Sequence, residues 1–349
     1  MSGATSGPPG FNKFRAGARR PITVSAGELV KTSRLPGGGE LPLVVEPAVE
    51  GVDAPAWAAA HREQVEGWLL RHGAVLFRGF ALPTAERFEE LARAVSPDLL
   101  DYGERSSPRS EIRQGIYTST DHPADQHIHF HNEQSYTRRW PMKLWFYCLR
   151  AAEEGGATPL ADGREVLRAL SPEVRERFAG KRVAYVRNYV EGIGLSWQEA
   201  FQTTERAAVE EYCRAASIGF AWGEGGRLTT RQIFDAVVRH PKTGEPLWFE
   251  HAAFFHVSSL EPEVREAFVN EYGPDDLPFN TFYGDGSPIE DSALEEIRGA
   301  YRRAAVRFPW REGDALLIDN MLTSHGREPF KGPRKILVAM AELHFRQAG

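Results

Sequence analysis

Three side chains, His131, Glu133 and His325, have the residue types that suit a mononuclear metal centre. His131 and Glu133 are separated by one residue, and residues i and i+2 of a strand point to the same side. His325 is the best third candidate because it follows the apolar run 314–319 in a polar, turn-like segment. Two imidazoles and one carboxylate form the facial ligand set of non-haem Fe(II) oxygenases, which leaves positions for a chelating co-substrate and dioxygen.

His127, His129 and His131 alternate along the same predicted strand and support a second interpretation. An imidazole cluster of this kind would bind Zn²⁺ or Cu²⁺. A cupin-type site would combine His129 and His131 with a glutamate four or five residues later, but Ser135 and Tyr136 stand there. His-x-Glu alone is a common tripeptide, so the iron and the zinc or copper interpretations both stay open from the residues alone.

Two further residues have side chains that could bind a dicarboxylate co-substrate. Arg334 lies in GPRK, at the start of the last predicted strand, and its guanidinium could hold a carboxylate through two parallel hydrogen bonds. Thr158, in GGAT, could add a hydroxyl donor to the same carboxylate. A surface arginine at a strand start and a glycine-rich turn explain these two segments equally well on spacing alone.

The elements that would position these residues are mostly strands. Apolar runs bracketed by glycines or turn residues predict strands at 73–79, 143–149, 314–319 and 335–343, and helical periodicity predicts helices at 54–71, 83–95, 164–180, 196–216, 228–237 and 292–308. We therefore predict a β-rich α+β fold: a flexible N-terminal arm over 1–20, then a single domain over 21–349 with a helical insertion around 164–300. The aromatic and imidazole residues over 249–256 are expected to be core, with lining of the pocket as the alternative.

Composition excludes several classes of protein. The chain has 349 residues, 42% of them hydrophobic, which rules out a disordered protein, and a formal charge of −6 argues against broad nucleic-acid binding. No run of apolar residues is long enough for a transmembrane helix, and the N-terminus lacks a secretory signal. The two cysteines, Cys148 and Cys213, form no CxxC motif and fit a reducing, cytoplasmic setting. The oligomeric state is left open.

Several separated motifs, in order, resemble the taurine dioxygenase-like superfamily of Fe(II)- and 2-oxoglutarate-dependent oxygenases, and in particular its syringomycin-type amino-acid hydroxylase branch. The resemblance covers roughly residues 20–345, and its motifs include GAVLFRGF (73–80), YTSTDHPADQHIHFHNEQSY (117–136), GGATPLADG (155–163) and DNMLTSHGREPFKGPRKILVAM (319–340). It implies a double-stranded β-helix, or jelly roll, with helical insertions. It also implies Fe(II), 2-oxoglutarate and dioxygen, with His131, Glu133 and His325 as iron ligands and Thr158 and Arg334 on the distal carboxylate of 2-oxoglutarate.

Two departures from relatives refine what the resemblance implies. Val338 stands where taurine dioxygenase has a sulfonate-binding arginine, so taurine is not the expected substrate. Glu133 fills a place that related halogenases leave to a small residue, which favours hydroxylation or desaturation. The resemblance thus implies hydroxylation of an unactivated C–H bond, at the β-carbon, of an amino acid that is free or bound to a peptidyl carrier protein, in natural-product biosynthesis. The alternatives are desaturation or epoxidation, or a non-catalytic metal-binding or carrier-docking jelly roll.

Overall fold

The computed structural model describes residues 29–36, 39–101, 111–119, 122–190, 194–274 and 276–346. The predicted arm 1–20 lies outside the described residues. The strands are β1 (Val30–Arg34), β2 (Leu43–Pro47), β3 (Ala74–Phe77), β4 (Glu111–Arg113), β5 (Ile116–Thr118), β6 (Ile128–His131), β7 (Arg139–Arg150), β8 (Glu154–Gly155), β9 (Leu160–Asp162), β10 (Val183–Tyr189), β11 (Gly219–Trp222), β12 (Leu228–Phe234), β13 (Val237–Arg239), β14 (Pro246–Trp248), β15 (Phe279–Tyr283), β16 (Ala305–Val306), β17 (Ala315–Asp319), β18 (Thr323–Arg327), β19 (Phe330–Lys331) and β20 (Lys335–Phe345).

The helices follow local capping and apolar periodicity. In one of them the Thr84 hydroxyl accepts a hydrogen bond from Arg87 N, and Phe88, Leu91 and Val95 are buried along one face, as the predicted helix over 83–95 requires. The predicted helix over 54–71 is divided in two at His61. The helices are α1 (Ala54–Ala60), α2 (Arg62–His72), α3 (Ala85–Val95), α4 (Gly163–Ala169), α5 (Pro172–Lys181), α6 (Trp197–Phe201), α7 (Arg206–Ala215), α8 (Ala252–Phe255), α9 (Pro262–Tyr272) and α10 (Asp291–Ala304).

A large sheet forms the framework, with the strand order β1-β2-β3-β17-β7-β20-β5-β4. Its neighbouring strands are antiparallel except for the parallel pair β2 and β3. The helices α1, α2 and α3 contribute to a core with one face of this sheet, in which Phe88 stacks on Tyr147 with ring centroids 4.9 Å apart. These three helices therefore form a packed layer against one face of the large sheet.

A smaller antiparallel sheet, β16-β9-β18-β6, lies against the other face of the large sheet. Leu160 of β9 belongs to one buried cluster with Leu144, Phe146, Leu316 and Val338 of the large sheet. These two mostly antiparallel sheets and the flanking helices make the fold a β-rich α+β fold, as predicted.

The segment between β9 and β16 carries helices as predicted and, in addition, the four-stranded antiparallel sheet β11-β12-β10-β15, here called the insertion sheet. The prediction of a helix over 228–237 is wrong, because these residues form β12 and then the start of β13. The β-branched Thr229, Thr230 and Ile233 favour a strand, and β12 pairs with β10 along its whole length, from Leu228 opposite Tyr189 to Phe234 opposite Val183. Describing 164–300 as a helical insertion was therefore incomplete.

Among the residues that the structure describes, no helix combines the length and the apolar character that a membrane-spanning segment needs.

One buried ion pair joins β3 to the segment before β17. Arg78 donates from Nε to Asp314 Oδ1 at 3.0 Å and from Nη2 to Oδ2 at 2.6 Å, and the two side chains are only 8% and 1% exposed. We expect Asp314→Ala to lower the free energy of unfolding by about 3–5 kcal/mol, because it leaves a buried guanidinium without its carboxylate. Urea unfolding measures this. Glu295→Ala removes the exposed partner of Arg302 and is the control, with an expected loss below about 1 kcal/mol. Equal losses in the two variants would contradict the prediction.

Candidate functional site

His131 and His325 lie directly opposite each other in the smaller sheet. β18 pairs with β6 in the register that places His325 against His131, and the two imidazole centroids are 4.3 Å apart. Directly opposed residues of an antiparallel pair have their side chains on the same face of the sheet. Strand pairing therefore brings together two histidines that are far apart in the sequence, as the sequence predicted for the site.

Gly326 permits this close pairing. A Cβ atom built on Gly326 would lie 2.7 Å from the carbonyl oxygen of Ile128 in the neighbouring strand, which is closer than Cβ atoms come to other atoms in real proteins. Any other residue between His325 and Arg327 would push β18 away from β6.

Glu133 reaches the same place by a different route from the one predicted. β6 ends at His131, and Glu133 lies in the following turn, so strand alternation does not position it. Asn320 holds the turn: its Oδ1 accepts from Glu133 N at 2.8 Å, and its Nδ2 donates to Glu133 O at 2.9 Å and to Pro141 O at 2.8 Å. Asn132 Nδ2 donates to Asn320 O at 2.6 Å in return. The carboxylate is thus positioned by the loop that leads to His325.

Asp319 and His240 hold that loop from its other side. Asp319 Oδ1 accepts from Met321 N at 2.9 Å and from Leu322 N at 3.0 Å. His240 Nδ1 accepts backbone N–H groups, so its Nε2 carries the proton and donates to Asp319 Oδ2 at 3.0 Å. Asp319, Asn320 and His240 were not predicted from the sequence, because their partners are remote along the chain.

The nitrogen and oxygen atoms that His131, Glu133 and His325 can offer to a metal all lie within 4.8 Å of one another. The His131 Nδ1 atom is 2.9 Å from the carbonyl oxygen of His129, which can only accept, so Nδ1 carries the proton and Nε2 keeps its lone pair. Two imidazoles and one carboxylate fit Fe(II). Within the described residues no second cluster of this kind forms, and neither His127 nor His129 joins this one, which removes the support for the zinc or copper interpretation.

Arg334 and Thr158 also lie together. Arg334 Nε donates to Gly156 O at 3.0 Å, and its Nη2 is 3.5 Å from the Thr158 hydroxyl oxygen. Trp310, which the sequence analysis missed, donates to that oxygen at 3.0 Å. Because the oxygen accepts two hydrogen bonds, the Thr158 proton is available to an acceptor such as a carboxylate. Gly156 has a φ of +69° and its absent Cβ would lie 3.0 Å from Arg334 Cδ, so a side chain there would displace the arginine.

No acidic side chain of the described residues compensates the charge of Arg334. Arg334 forms no ion pair with any residue in the described part of the chain, and burial, together with the nearby Arg327, lowers the pKa of Arg334 to about 10. Arg327 itself is committed to backbone carbonyls, including those of His122 at 2.9 Å and Gln126 at 2.8 Å. A buried cation of this kind is stabilised by an anionic ligand.

One small cavity joins the two groups of residues. Its wall contains His131 and His325 from the first group and Thr158 and Arg334 from the second, and Val338 completes the apolar side. A dicarboxylate in this cavity can therefore meet the guanidinium at one end and a metal at the other.

A layer of aromatic rings closes the other side of His131. Its imidazole is 5.2 Å from the Phe254 ring and 5.6 Å from the His251 ring. Burial, with His131 beside it, holds the pKa of His251 well below the usual value, so His251 is neutral. The aromatic and imidazole residues over 249–256, expected to be core, thus border the site as well.

The chain matches the family profile "Taurine catabolism dioxygenase TauD, TfdA family" over residues 37–340. It belongs to this family. It is 40% identical over 274 residues to the dapdiamide synthesis protein DdaC of Enterobacter agglomerans, which covers 78% of this chain and 83% of that protein. It is 28% identical over 323 residues to a clavaminate synthase-like protein of Arabidopsis thaliana, with 86% and 93% covered.

The fold is also that of solved structures. The PvcB protein of Pseudomonas aeruginosa superposes with a TM-score of 0.54 at 17% identity, covering 93% of this chain and 94% of that one. PvcB is described as an Fe, alpha-ketoglutarate-dependent oxygenase from an isonitrile synthetic pathway.

The chain is an Fe(II)- and 2-oxoglutarate-dependent oxygenase that consumes dioxygen. The resemblance to the taurine dioxygenase-like superfamily that the motifs indicated is confirmed, and the alternative of a non-catalytic protein is excluded. The chemistry of the donor set fits this class, because His131, Glu133 and His325 supply the donors that Fe(II) takes in such enzymes.

We expect Asn320→Asp to weaken Fe(II) binding by about 10- to 100-fold, the usual effect of removing a group that orients a ligand. The carboxylate cannot donate to Glu133 O or Pro141 O, so the turn that carries Glu133 loses two hydrogen bonds. Anaerobic competition with a chromophoric chelator measures the affinity. Asn188→Asp is the matched control, since Asn188 is equally buried but its amide donates to Leu277 O in the insertion. Unchanged Fe(II) affinity in Asn320→Asp would refute this role.

Proposed function

We propose that this oxygenase hydroxylates an unactivated C–H bond of an amino acid in natural-product biosynthesis, with His131, Glu133 and His325 as the iron ligands. The observation that carries the proposal is the single small cavity lined by two of these ligands together with Arg334 and Thr158. One end suits a metal and the other suits the distal carboxylate of 2-oxoglutarate.

The proposed ligands hold the iron through atoms that their neighbours keep available. His131 would bind through Nε2, because its Nδ1 donates to His129 O. Two hydrogen bonds with the Asn320 side chain hold the backbone of Glu133, which is only 5% exposed. Its carboxylate would therefore lose little conformational freedom on binding a metal. Iron held by these residues would supply dioxygen activation: one oxygen atom would enter succinate as 2-oxoglutarate loses carbon dioxide, and the other would go to the substrate.

Arg334 and Thr158 are proposed to bind and orient the co-substrate. The guanidinium, fixed through Nε on Gly156 O, offers its remaining N–H groups to a carboxylate, and the Thr158 hydroxyl donates to the same group. The apolar side chains of Phe146, Ile336 and Val338 in the same cavity wall exclude water from the bound dicarboxylate.

The two main sheets support a double-stranded β-helix, or jelly roll, as the proposed architecture. The four-stranded sheet carries His131 and His325 and packs on the eight-stranded sheet, which carries Arg334 just before β20. In such a double-layered fold, the site lies between the sheets at one open end.

Two residues, Glu133 and Val338, also bear on the type of reaction and the substrate. Glu133 supplies a carboxylate where a halide would otherwise need room, so hydroxylation or desaturation is favoured over halogenation. Val338 is 3% exposed and apolar where an arginine would be needed to bind a sulfonate, so taurine is a poor substrate. The same residues serve epoxidation and desaturation, which remain the alternative outcomes.

The substrate class rests on relatives. The similarity to a dapdiamide synthesis protein supports a role in natural-product biosynthesis, and the motifs support oxidation of an amino acid, at its β-carbon, free or carried by a peptidyl carrier protein. Incubation with free and carrier-bound amino acids, followed by mass spectrometry, tests this. A mass gain of one oxygen indicates hydroxylation, or epoxidation if the substrate carries a double bond. A loss of two hydrogens indicates desaturation, and succinate formation that no amino acid stimulates contradicts the substrate class.

We expect anaerobic addition of Fe(II) and then 2-oxoglutarate to give a weak visible charge-transfer band in the wild type, and no band in His131→Ala or His325→Ala, because each loses one of three ligands. His127→Ala is the control: His127 is an exposed histidine of the same segment outside the metal group, and its variant should keep the band. Circular dichroism checks that each variant is folded. A full band in folded His131→Ala would refute the ligand assignment.

We expect Arg334→Gln to raise the 2-oxoglutarate concentration needed for half-maximal activity by more than about 10-fold, since a charge-assisted bidentate contact is lost. The affinity for Fe(II) alone should stay within about twofold of the wild type. Arg307→Gln, which removes an exposed arginine paired with Glu328, is the matched control and should change neither value. A 2-oxoglutarate requirement that is the same in Arg334→Gln and the wild type would assign the carboxylate to another residue.

A further inference from the structure

A cavity of about 840 Å³ lies on the insertion side of the aromatic layer that borders His131. We call it the insertion chamber. Its wall is formed by β10 and β12 of the insertion sheet, by α6 and α7, and by the end of β20, and most of its side chains are apolar or aromatic, among them Tyr189, Phe201, Val209, Ile218 and Phe279. A cavity of this size and character is typical of small-molecule sites.

Three arginines of the chamber wall have no carboxylate partner among the residues that the structure describes. Arg138 Nη1 donates to Ala216 O at 3.1 Å, Arg187 Nη2 to Leu195 O at 3.4 Å and Arg346 Nη2 to Ser135 O at 3.1 Å. These acceptors are all backbone carbonyls, and none of the three guanidinium groups forms an ion pair within the described part of the chain. Arginines elsewhere in this acidic chain are commonly paired, as Arg78 is with Asp314.

The arginines are held in place by aromatic rings. The Arg187 guanidinium carbon lies 4.2 Å from the Tyr189 ring centroid and 4.9 Å from that of Phe279. The guanidinium carbon of Arg346 lies 4.4 Å from the Phe234 ring centroid. Stacked guanidinium groups keep their N–H edges available, which suits recognition of an oxyanion.

Positive charge therefore accumulates in the chamber. Burial lowers the pKa of Arg346 and the nearby charge of Arg138 lowers it further, while Tyr185 and Asp235 act in the opposite direction. Half-buried cations that line one cavity without an ion pair among the described residues favour an anionic ligand.

The inner end of the chamber lies one layer of rings from the proposed iron centre. Tyr136 and Phe255 belong to the chamber wall, and their rings lie 4.9 Å and 4.3 Å from that of His251. His251 is in turn 5.6 Å from His131. At the outer end, Tyr212 and Phe345 are 39% and 60% exposed, which is unusual for large aromatic side chains and marks an entrance.

We propose that the insertion chamber binds an anionic group, a phosphate ester or a carboxylate, at the far end of an elongated substrate, through Arg187 and Arg346. This inference rests on the proposed function, because the anchored molecule is the one whose other end is oxidised. A free amino acid would fill only a small part of the chamber, whereas an acyl group on a phosphate-bearing arm would extend along it. The apolar wall contacts the chain of such a substrate and the guanidinium groups contact its anion.

Isothermal titration of the full chain, loaded anaerobically with Fe(II) and 2-oxoglutarate, tests the proposal with two matched pairs of probes. The first pair is 4′-phosphopantetheine and pantetheine, which differ by the phosphate. The second pair is octanoate and octanamide, which differ by the charge. We expect the anionic member of at least one pair to bind at least 10-fold more tightly than its neutral partner. Preference in the first pair identifies a phosphate ester, and preference in the second pair alone identifies a carboxylate.

The variant Arg187→Gln/Arg346→Gln should lose this preference and bind the neutral probes as the wild type does. Arg214→Gln is the control, because Arg214 is an exposed arginine of α7 that pairs with Glu210 and is not part of the chamber wall. Equal binding of the charged and neutral probes in both pairs, or an unchanged preference in the double variant, would overturn the proposal. The charge-transfer band of the same samples reports separately whether iron and 2-oxoglutarate are bound. A sample that shows the band but no preference for the anionic probes would contradict the chamber proposal alone.

Discussion

The register between β18 and β6 is the constraint on which the site depends. A shift of one residue would turn His325 to the opposite face of the sheet from His131. Gly326 allows the two strands to approach, and the Asn320 side chain, in the loop before β18, forms hydrogen bonds with the turn after β6. The loop that leads into β18 therefore also places Glu133, so the positions of all three donor groups depend on the pairing of these two strands.

Two arginines that are shielded from water, Arg78 and Arg334, differ in their partners. Arg78 is paired bidentately with Asp314, and the pair closes the framework between β3 and β17. Arg334 is half-buried, and its side-chain hydrogen bonds in the described residues go to Gly156 O and the Thr158 hydroxyl. Leaving a buried cation without a carboxylate costs stability, and that cost is offset when an anionic ligand binds.

The sequence alone predicted the β-rich fold and the residues that could form the centre, because residue type and chain order carry that information. His131, Glu133 and His325 do come together. The reason given for Glu133 was wrong, since a turn and not a strand positions it. Asn320, His240 and Trp310 could not be found from local patterns, because their partners lie in remote segments. The prediction of a helix over 228–237 was wrong for the same reason, because pairing with the remote strand β10 decides the conformation of β12.

The proposed iron centre and the insertion chamber lie in different parts of the fold. This explains why the sequence motifs identify the reaction better than they identify the substrate. The two histidines lie on paired strands of the smaller sheet, and Arg334 directly precedes β20 of the large sheet, so strand register leaves them little freedom. The insertion chamber is built from short helices and the insertion sheet, whose sequence need only preserve a cavity wall. Arg138, Arg187 and Arg346 are far apart in the sequence, and only the folded chain shows that they share one cavity. Substrate recognition thus depends on tertiary packing of the part of the sequence with the weakest local signals.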